Sequence, residues 1–446
     1  MKIQAGPLGK IIDENFSEEL LDELAGKTGF IKRSRKLSAT HFVNILMFSS
    51  GNQADTSLPD ITADLRQQFS VDISKEGMHK RFNTKAVSFL KELIKYHVSE
   101  QLLLEDGKEL KRYFNAINIK DSTKFSLPSV YNGHYPGFGN FSKTNGLMNI
   151  QYEYDILSGN WKTVDLTSIK VNDQKDSNQN IESISSNELY IRDLGYITPT
   201  YLNAVLQKGA SFLNRLPAQA AVYASGQEQI NWNRIDRKFN KAGTDTLDMD
   251  VCVYKNEQIA CRLIIERVPN DVYRKRVKQA EASAKKYGVG LTQQRRTRCR
   301  YNTFITNVDR LILPTAAIRK VYHLRWQVEL VFKTWKSFLE IDKLKKVKRE
   351  RFECQLLAKL LWVLLNWRLF QSCNHHVQKE RPTIGVSILK FFKRCLCFSG
   401  ALRLVVLRRI PLQRWLKQTF LPLIENTACE APIGKTTHYL TLFTLS

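Results

Sequence analysis

The sequence predicts an α/β fold with helical regions at both ends, on three observations. Apolar residues recur at three- and four-residue spacings from Ile11 to about Leu104. Near Tyr113 the apolar period drops to two, and strands then alternate with helices as far as about residue 310. From Thr315 onward the pattern is helical again. With 446 residues the chain exceeds one ordinary core, so two to four structural units are expected. A hydrophobic share of 43% and a charged share of 25% are those of a globular protein that folds without staples.

The helical start is carried by "FSEELLDELAGKTGF", "ATHFVNILMFSS" and "KAVSFLKELIKYHVSEQLLL". Between the last two lies "SVDISKEGMHKRFN", where Ser74 is a good N-cap and Lys80 and Arg81 follow. A short helix there could present basic side chains to DNA or simply cap a bundle. "YFNAINIKDSTKF" reads as a strand, and "LMNIQYEYDILSGNWKTVDLTSIKV" as two more joined at Ser158-Gly159-Asn160. A helix around Asn178 to Ser186 follows, then the strand "ELYIRD", a helix opened by Thr198-Pro199, and the strand "SFLNRL". Three strands followed by helix, strand, helix, strand is the ribonuclease-H-like order. From about Pro217 to Arg300 the pattern is strand-rich and irregular, ending in a run of ten Lys/Arg against Glu281 alone between residues 274 and 300. "YNTFITNV" is one more strand, and a long helix runs from about Thr315 to Glu340. The rest is helical and basic.

The charge separates this chain from an ordinary globular protein. It carries 68 Lys and Arg against 43 Asp and Glu, a formal +25, which favours a polyanionic partner and phosphate contacts by the basic run. A membrane surface fits less well: the first residues, "MKIQAGPLGKIIDENF", hold no apolar h-region, and no stretch approaches the roughly 20 apolar residues of a span. Lys359 and Arg368 interrupt the most hydrophobic segment, Cys354 to Phe370, as in a buried helix. Eight scattered cysteines fit a reducing cytoplasm rather than a stapled secreted domain. Cys395 and Cys397, with His375 and His376 upstream, lack the two-to-four residue spacing of zinc ligands.

Chemistry gathers at three acidic residues. At 100° per residue, Tyr322, Arg325, Glu329 and Lys336 fall within an arc of roughly 60° on one helix. Leu324, Val328, Val331, Trp335 and Phe338 gather on the opposite, apolar face. Alone, that polar stripe is also what a surface helix with an Arg325 to Glu329 pair would show. Asp121 closes an apolar-rich strand and Asp193 closes "ELYIRD", positions where turn or capping residues are ordinary. Together, two strand-end aspartates and a helical glutamate make the oxygen-only ligand set that Mg²⁺ or Mn²⁺ takes. Two divalent ions about 3.5–4 Å apart repel strongly unless anionic ligands surround them, which is the physical reason for three carboxylates. Arg325, Lys336 and Tyr322 could hold flanking phosphates.

The segment "YHLRWQVELVFKTWK" resembles the Y-x2-R-x3-E-x6-K signature of the DDE transposases of insertion-sequence family four, matched at Tyr322, Arg325, Glu329 and Lys336. "DSTKFSLP" at Asp121 and "RDLGY" at Asp193 resemble the family's two aspartate motifs, and "IERVP" and "TNV" its flanking segments, so the similarity spans roughly residues 74 to 365. The resemblance implies a ribonuclease-H-like catalytic domain interrupted by a β-rich insertion, with Asp121, Asp193 and Glu329 holding two Mg²⁺ ions, which Mn²⁺ could replace. It also implies cut-and-paste chemistry on double-stranded DNA, the terminal inverted repeats and the target, by a homodimer. Relatives that excise through a DNA hairpin carry a tryptophan after the insertion; Tyr301 stands there, with Trp232 a more distant candidate for base stacking.

The expected organisation is a helical DNA-binding region over 1–108, the catalytic domain over 109–217 and 301–372, a basic insertion over 218–300, and a helical region over 373–446 suited to dimerisation. The expected setting is a bacterial cytoplasm, in association with the nucleoid and away from membranes. A ribonuclease-H-like nuclease without strand transfer, or a non-enzymatic DNA-binding derivative, are the alternative readings.

Overall fold

The computed structural model describes residues 16–31, 36–48, 56–99, 112–138, 145–158, 160–218, 220–224, 228–339, 346–381 and 384–430. The outer parts of the expected terminal regions, before 16 and after 430, lie outside these. The chain forms two compact units: one comprises Met1–Asp106, Ser122–Lys170 and Trp326–Leu440, the other Gly107–Asp121, Val171–Arg325 and Thr441–Ser446.

Among the described residues, five helices come first in the first unit, several of them set by their caps. Ser17 accepts from Leu20 N to start α1 (Glu18–Lys27), and α2 (Ala39–Phe48) is buried along most of its length. A capping box between Ser57 and Asp60 starts α3 (Leu58–Phe69), satisfying two backbone donors reciprocally. Ser74 caps α4 (Lys75–Arg81), as its sequence predicts, and Asn83 accepts from Lys85 N and Ala86 N at the head of α5 (Thr84–Ser99). Strand β1 (Ala116–Leu127) crosses from one unit to the other. In the first unit, β2 (Gly146–Asp155) and β3 (Trp161–Ser168) form an antiparallel pair, with Asp155 accepting from Leu157 N and Ser158 N in the connecting turn.

The second unit continues through α6 (Asp173–Gln179), β4 (Glu188–Arg192), α7 (Pro199–Gln207) and β5 (Ser211–Arg215). Thr198 accepts from Tyr201 N and Pro199 occupies the first turn of α7, where a missing N–H costs nothing. Then come β6 (Val222–Tyr223), α8 (Trp232–Ala242), β7 (Thr246–Val253), β8 (Ile259–Arg267), α9 (Asn270–Lys286), α10 (Gln293–Arg298), β9 (Tyr301–Thr306) and α11 (Thr315–His323). The basic run, read as irregular, is therefore helical: α9 and α10 carry it. The helix expected over Asn178 to Ser186 lies earlier, as α6, followed by a short 3-10 turn at Ile181–Ser183.

Strand order in the nine-stranded sheet is β3-β2-β1-β4-β5-β9-β8-β7-β6. β1, β4 and β5 run parallel, and β9, β8, β7 and β6 continue antiparallel from β5. The mixed sheet with helical ends is the predicted α/β class. The strands between Pro217 and Arg300 do not stand apart; β8 pairs with β9 along six residues, so they lengthen the same sheet. The apolar core of this unit runs from Tyr190, Leu202 and Phe212 to Val253, Leu263 and Ile305.

The long helix expected over Thr315 to Glu340 is two helices. α11 ends at His323 and α12 (Trp326–Leu339) begins after Leu324 and Arg325, whose amides bond three residues back, to Val321 and Tyr322. The single stripe drawn from the sequence assumes one unbroken helix, and the structure interrupts it between His323 and Trp326. Within α12, Val328, Val331 and Trp335 are buried as expected, with the Trp335 ring 5.1 Å from that of Tyr152 and 5.6 Å from that of Trp161. The side chain of Phe338 lies outside the described residues. The 32-residue α13 (Arg349–Glu380) buries the Leu- and Trp-rich run and packs on α5 and α2, and no described helix is long and apolar enough to cross a membrane. The first unit closes with β10 (Gly385–Val386), α14 (Ile388–Cys397), α15 (Ser399–Val406), α16 (Leu412–Trp415), α17 (Leu421–Thr427) and β11 (Cys429–Glu430).

Candidate active site

Parallel pairing of β1 with β4 places the two aspartates. The last partners in register are Lys120 and Arg192, so Asp121 and Asp193 are the next residues on adjacent strands. Successive side chains alternate across a sheet, so the aspartates point to one face and Lys120 and Arg192 to the other. Expected from the sequence to close its strand, Asp121 does not: β1 continues to Leu127. Asp193 directly follows β4 and heads a 3-10 turn at Leu194–Tyr196, yet its carboxylate makes no capping bond there. Its backbone carbonyl closes the turn instead, accepting from Tyr196 N at 3.0 Å. A turn role therefore leaves the Asp193 carboxylate unexplained.

The break between α11 and α12 supplies the opposite charge. Arg325 Nη1 donates to Asp121 Oδ2 at 2.8 Å, and Arg325 Nε lies 3.9 Å from Asp193 Oδ1. The Tyr322 hydroxyl donates to Asp193 Oδ1 at 3.2 Å. Tyr322 is buried beside Phe304, with ring centroids 5.2 Å apart. Burial first, and the Asp193 charge next, push its hydroxyl far above the ordinary phenol range, so it remains a donor. Two carboxylates, one guanidinium and one phenol thus form a single polar constellation within the second unit.

Glu329 and Lys336 lie on α12 in the other unit. Two helical turns separate them, which puts both on one face; Glu329 is exposed, and Lys336 Nζ donates to the carbonyl of Lys124 on β1 at 3.2 Å. Among the described residues, no group of three or more His, Cys, Asp or Glu is arranged to hold a metal ion. The donor chemistry of the aspartate pair nevertheless fits a hard divalent cation: both are oxygen donors, and both already sit around one positive charge.

The remaining predicted contacts fall elsewhere. Lys80 is exposed and Arg81 partly so at the end of α4, beside buried Met78. Tyr301 is enclosed rather than presented: only 3% exposed, it stacks on Phe239 at 5.0 Å and Trp232 at 6.5 Å and donates its hydroxyl to Asp236. As placed, it completes the core between β9 and α8 and offers no open ring to a base. Trp232 is covered on one side by the Arg298 guanidinium at 4.1 Å.

Two groups of residues escaped the sequence reading. Behind the aspartates, Lys120 Nζ meets Asp176 of α6 at 2.5 Å, both almost wholly buried, and Arg192 donates to Ser177 and lies over the Tyr201 ring at 4.4 Å. The available signal was a cation in the middle of each apolar strand, "INIKD" and "LYIRD". Ahead of α11, Arg262 donates to Asp248 at 2.6 Å and to the carbonyls of Val308 and Leu313, while Thr315 donates to Asp248. That network fixes the start of the helix that ends in Tyr322 and Arg325.

A family model described as the transposase DDE domain matches residues 113–365. The transposase for insertion sequence element IS231B of Bacillus thuringiensis subsp. berliner is 31% identical over 376 residues, covering 78% of each chain. That for IS231F of Bacillus thuringiensis subsp. israelensis is 30% identical over 399 residues, covering 85% of this chain and 83% of its own. That for IS1151 of Clostridium perfringens is 28% identical over 376 residues, covering 80% and 79%. The matched region contains Asp121, Asp193, Arg325 and Glu329 and more than half of the chain: the chain belongs to the transposase DDE domain family.

Proposed function

We propose that this protein is a DNA transposase that cleaves the ends of an insertion sequence and joins the freed 3′-hydroxyls to target DNA. The observation that carries the reading is the placement of Asp121 and Asp193 at neighbouring positions of parallel strands, both facing the guanidinium of Arg325. In water such a pair would be neutralised by solvent and salt; here a guanidinium does so. Asp121 and Asp193, with Glu329, are the residues that would hold Mg²⁺ or Mn²⁺, two ions in the full site. Bound there, the metals would activate the attacking oxygen and stabilise the leaving 3′ oxygen.

The chain's own residues supply the rest. Tyr322 holds the Asp193 carboxylate by a proton that it does not surrender at neutral pH. Arg325, which here pairs with Asp121, would be available to a phosphate beside the scissile bond if a cation took over that carboxylate. Lys336 and the exposed Lys80, with Arg81, add charge along the duplex. The formal +25 supports terminal repeats and target DNA as partners, in the bacterial cytoplasm at the nucleoid. The helical region up to residue 108 would engage the ends, 218–300 the flanking backbone, and 373–446 a second copy in a homodimer.

The test is cleavage of duplexes carrying the terminal repeats, with and without Mg²⁺. Asp121→Asn, Asp193→Asn and Glu329→Gln should each cut at least about a thousandfold more slowly, about 4 kcal/mol of transition-state stabilisation, while binding the ends within a few-fold of wild type. Full cleavage by any one of them would remove that residue from the site. Joined products separate a transposase from a nuclease that only cuts.

A further inference from the structure

In the second unit, three arginines from three different elements converge on the start of β9 without a carboxylate among them. Arg276 of α9 donates to the carbonyl of Tyr301 at 3.1 Å and to Asn302 Oδ1 at 2.7 Å. Arg298 of α10 donates to Thr303 Oγ1 and lies over Trp232. Arg215 ends β5, where its register partner is Phe304, and Leu216 N bonds to the Thr303 carbonyl. The Arg276 and Arg298 side chains thus bond to Tyr301, Asn302 and Thr303, and Arg215 stands beside Phe304 in the sheet register. None forms an ion pair with an acid among the described residues.

This arrangement costs stability as it stands. Arg298 is 6% exposed, and a buried cation with no counter-ion is unfavourable by several kcal/mol unless it is compensated. Neighbouring like charge adds to that cost. Burial first, then Arg215 and Arg276, pull the Arg298 guanidinium down to about 9, and burial and Arg215 pull Arg276 in the same direction. The neutral contacts, a hydroxyl, two carbonyl oxygens and an indole face, orient the guanidinia but cannot neutralise them. A tetrahedral dianion or a phosphodiester can, since guanidinium forks match phosphate oxygens.

We infer that Arg215, Arg276 and Arg298 form a phosphate-binding site that takes one backbone phosphate of a DNA strand. The inference deepens the transposase reading by assigning a specific phosphate contact to the base of α9 and α10, distinct from the exposed lysines along those helices. Arg276 and Arg215, only half-buried, would meet the phosphate directly; Arg298 would back them from beneath.

The experiment uses the full chain and needs no DNA cleavage, so it fails separately from the transposase reading. The thermal midpoint is followed with inorganic phosphate against chloride at matched ionic strength. Wild type should gain about 1–3 °C from phosphate when the site is filled well above its dissociation constant. Arg276→Gln and Arg298→Met should lose that gain, and Asp121→Asn should keep it. Should Arg298→Met fold poorly, Arg276→Gln and Arg215→Gln carry the test alone. A second arm titrates duplex DNA: Arg276→Gln should weaken binding by a similar factor on every sequence and lower the salt slope by about 1. Absence of a phosphate gain in wild type, or an equal gain in the variants, overturns the site. Retention of the phosphate gain with an unchanged duplex slope overturns its assignment to DNA.

Discussion

Arg325 is bound to Asp121 at 2.8 Å by a side chain that is only 9% exposed, so the cation of the site is built into the fold rather than borrowed from solvent. On the proposed metal site, the guanidinium and a divalent ion would compete for the same carboxylates. Replacing Arg325 with Gln keeps much of the shape and removes the charge. Without divalent ions Arg325→Gln should lower the thermal midpoint, because two adjacent carboxylates then lose the guanidinium that faces them both. Addition of Mg²⁺ should raise the midpoint of the variant more than that of wild type. Equal Mg²⁺ shifts in both proteins would show that the arginine and the metal do not share the pair.

Lys120 and Asp176 support the same aspartates from behind. Removing one member of a buried pair strands the other, so Lys120→Met or Asp176→Leu alone should cost about 3–5 kcal/mol in denaturant unfolding. The double variant should recover most of that loss, since matched apolar residues often replace a buried pair at little cost. If the singles and the double are equally unstable, the pair is not the interaction that holds α6 to the sheet.

How much of this was legible in the sequence differs from residue to residue. Asp193 was readable because an apolar strand of five residues stops there, and Asp121 because the same apolar run precedes it. Their adjacency followed once β1 and β4 were paired in order. The sequence pattern sets Arg325 on one helical stripe with Glu329, whereas the structure pairs it with Asp121 from a break between two helices. "VYHLRWQVEL" contains neither Pro nor Gly, so the helical period runs through the break, which is marked only by amides bonding three residues back. The basic helices were hidden differently: α9 buries only Val277 and Ala284, too few apolar residues to register against its charges. Tyr301 was assigned an outward role because position in the chain says nothing about the Phe239 and Trp232 rings that enclose it.

Asp248 offers a pH test of the network ahead of α11. Burial works to raise its carboxyl, but hydrogen bonds from Arg262 and Thr315 and the charges of Arg262 and Arg310 outweigh it and hold the group below the usual carboxylate value. A group depressed in the folded state stabilises at pH above its unfolded value, near 4, and that stability is lost as the pH falls through the folded value. Wild type should therefore lose stability steeply below about pH 4, and Asp248→Asn should be less stable at neutral pH with a flatter acid limb. Parallel curves for the two proteins would mean that other carboxylates dominate acid unfolding.

The exposed face of α9 and α10 gives the last prediction, and it concerns affinity rather than chemistry. Arg274, Lys275, Lys278, Lys285, Lys286 and Arg295 are all exposed there, whereas Arg296 is engaged by Glu281 at 2.7 Å. A cation that neutralises a duplex phosphate releases about 0.9 of a counter-ion, so each genuine contact steepens the fall of log K with log salt by that amount. Changing Lys275, Lys278, Lys285 and Lys286 together to Gln should lower the slope by about 2–4 and weaken binding at low salt more than at high salt. The same variant should cleave bound ends at the wild-type rate once saturated, because none of these lysines is among the groups gathered around Asp121 and Asp193. An unchanged slope would return these helices to the role of a solvated surface and move the DNA path to other cations of the chain.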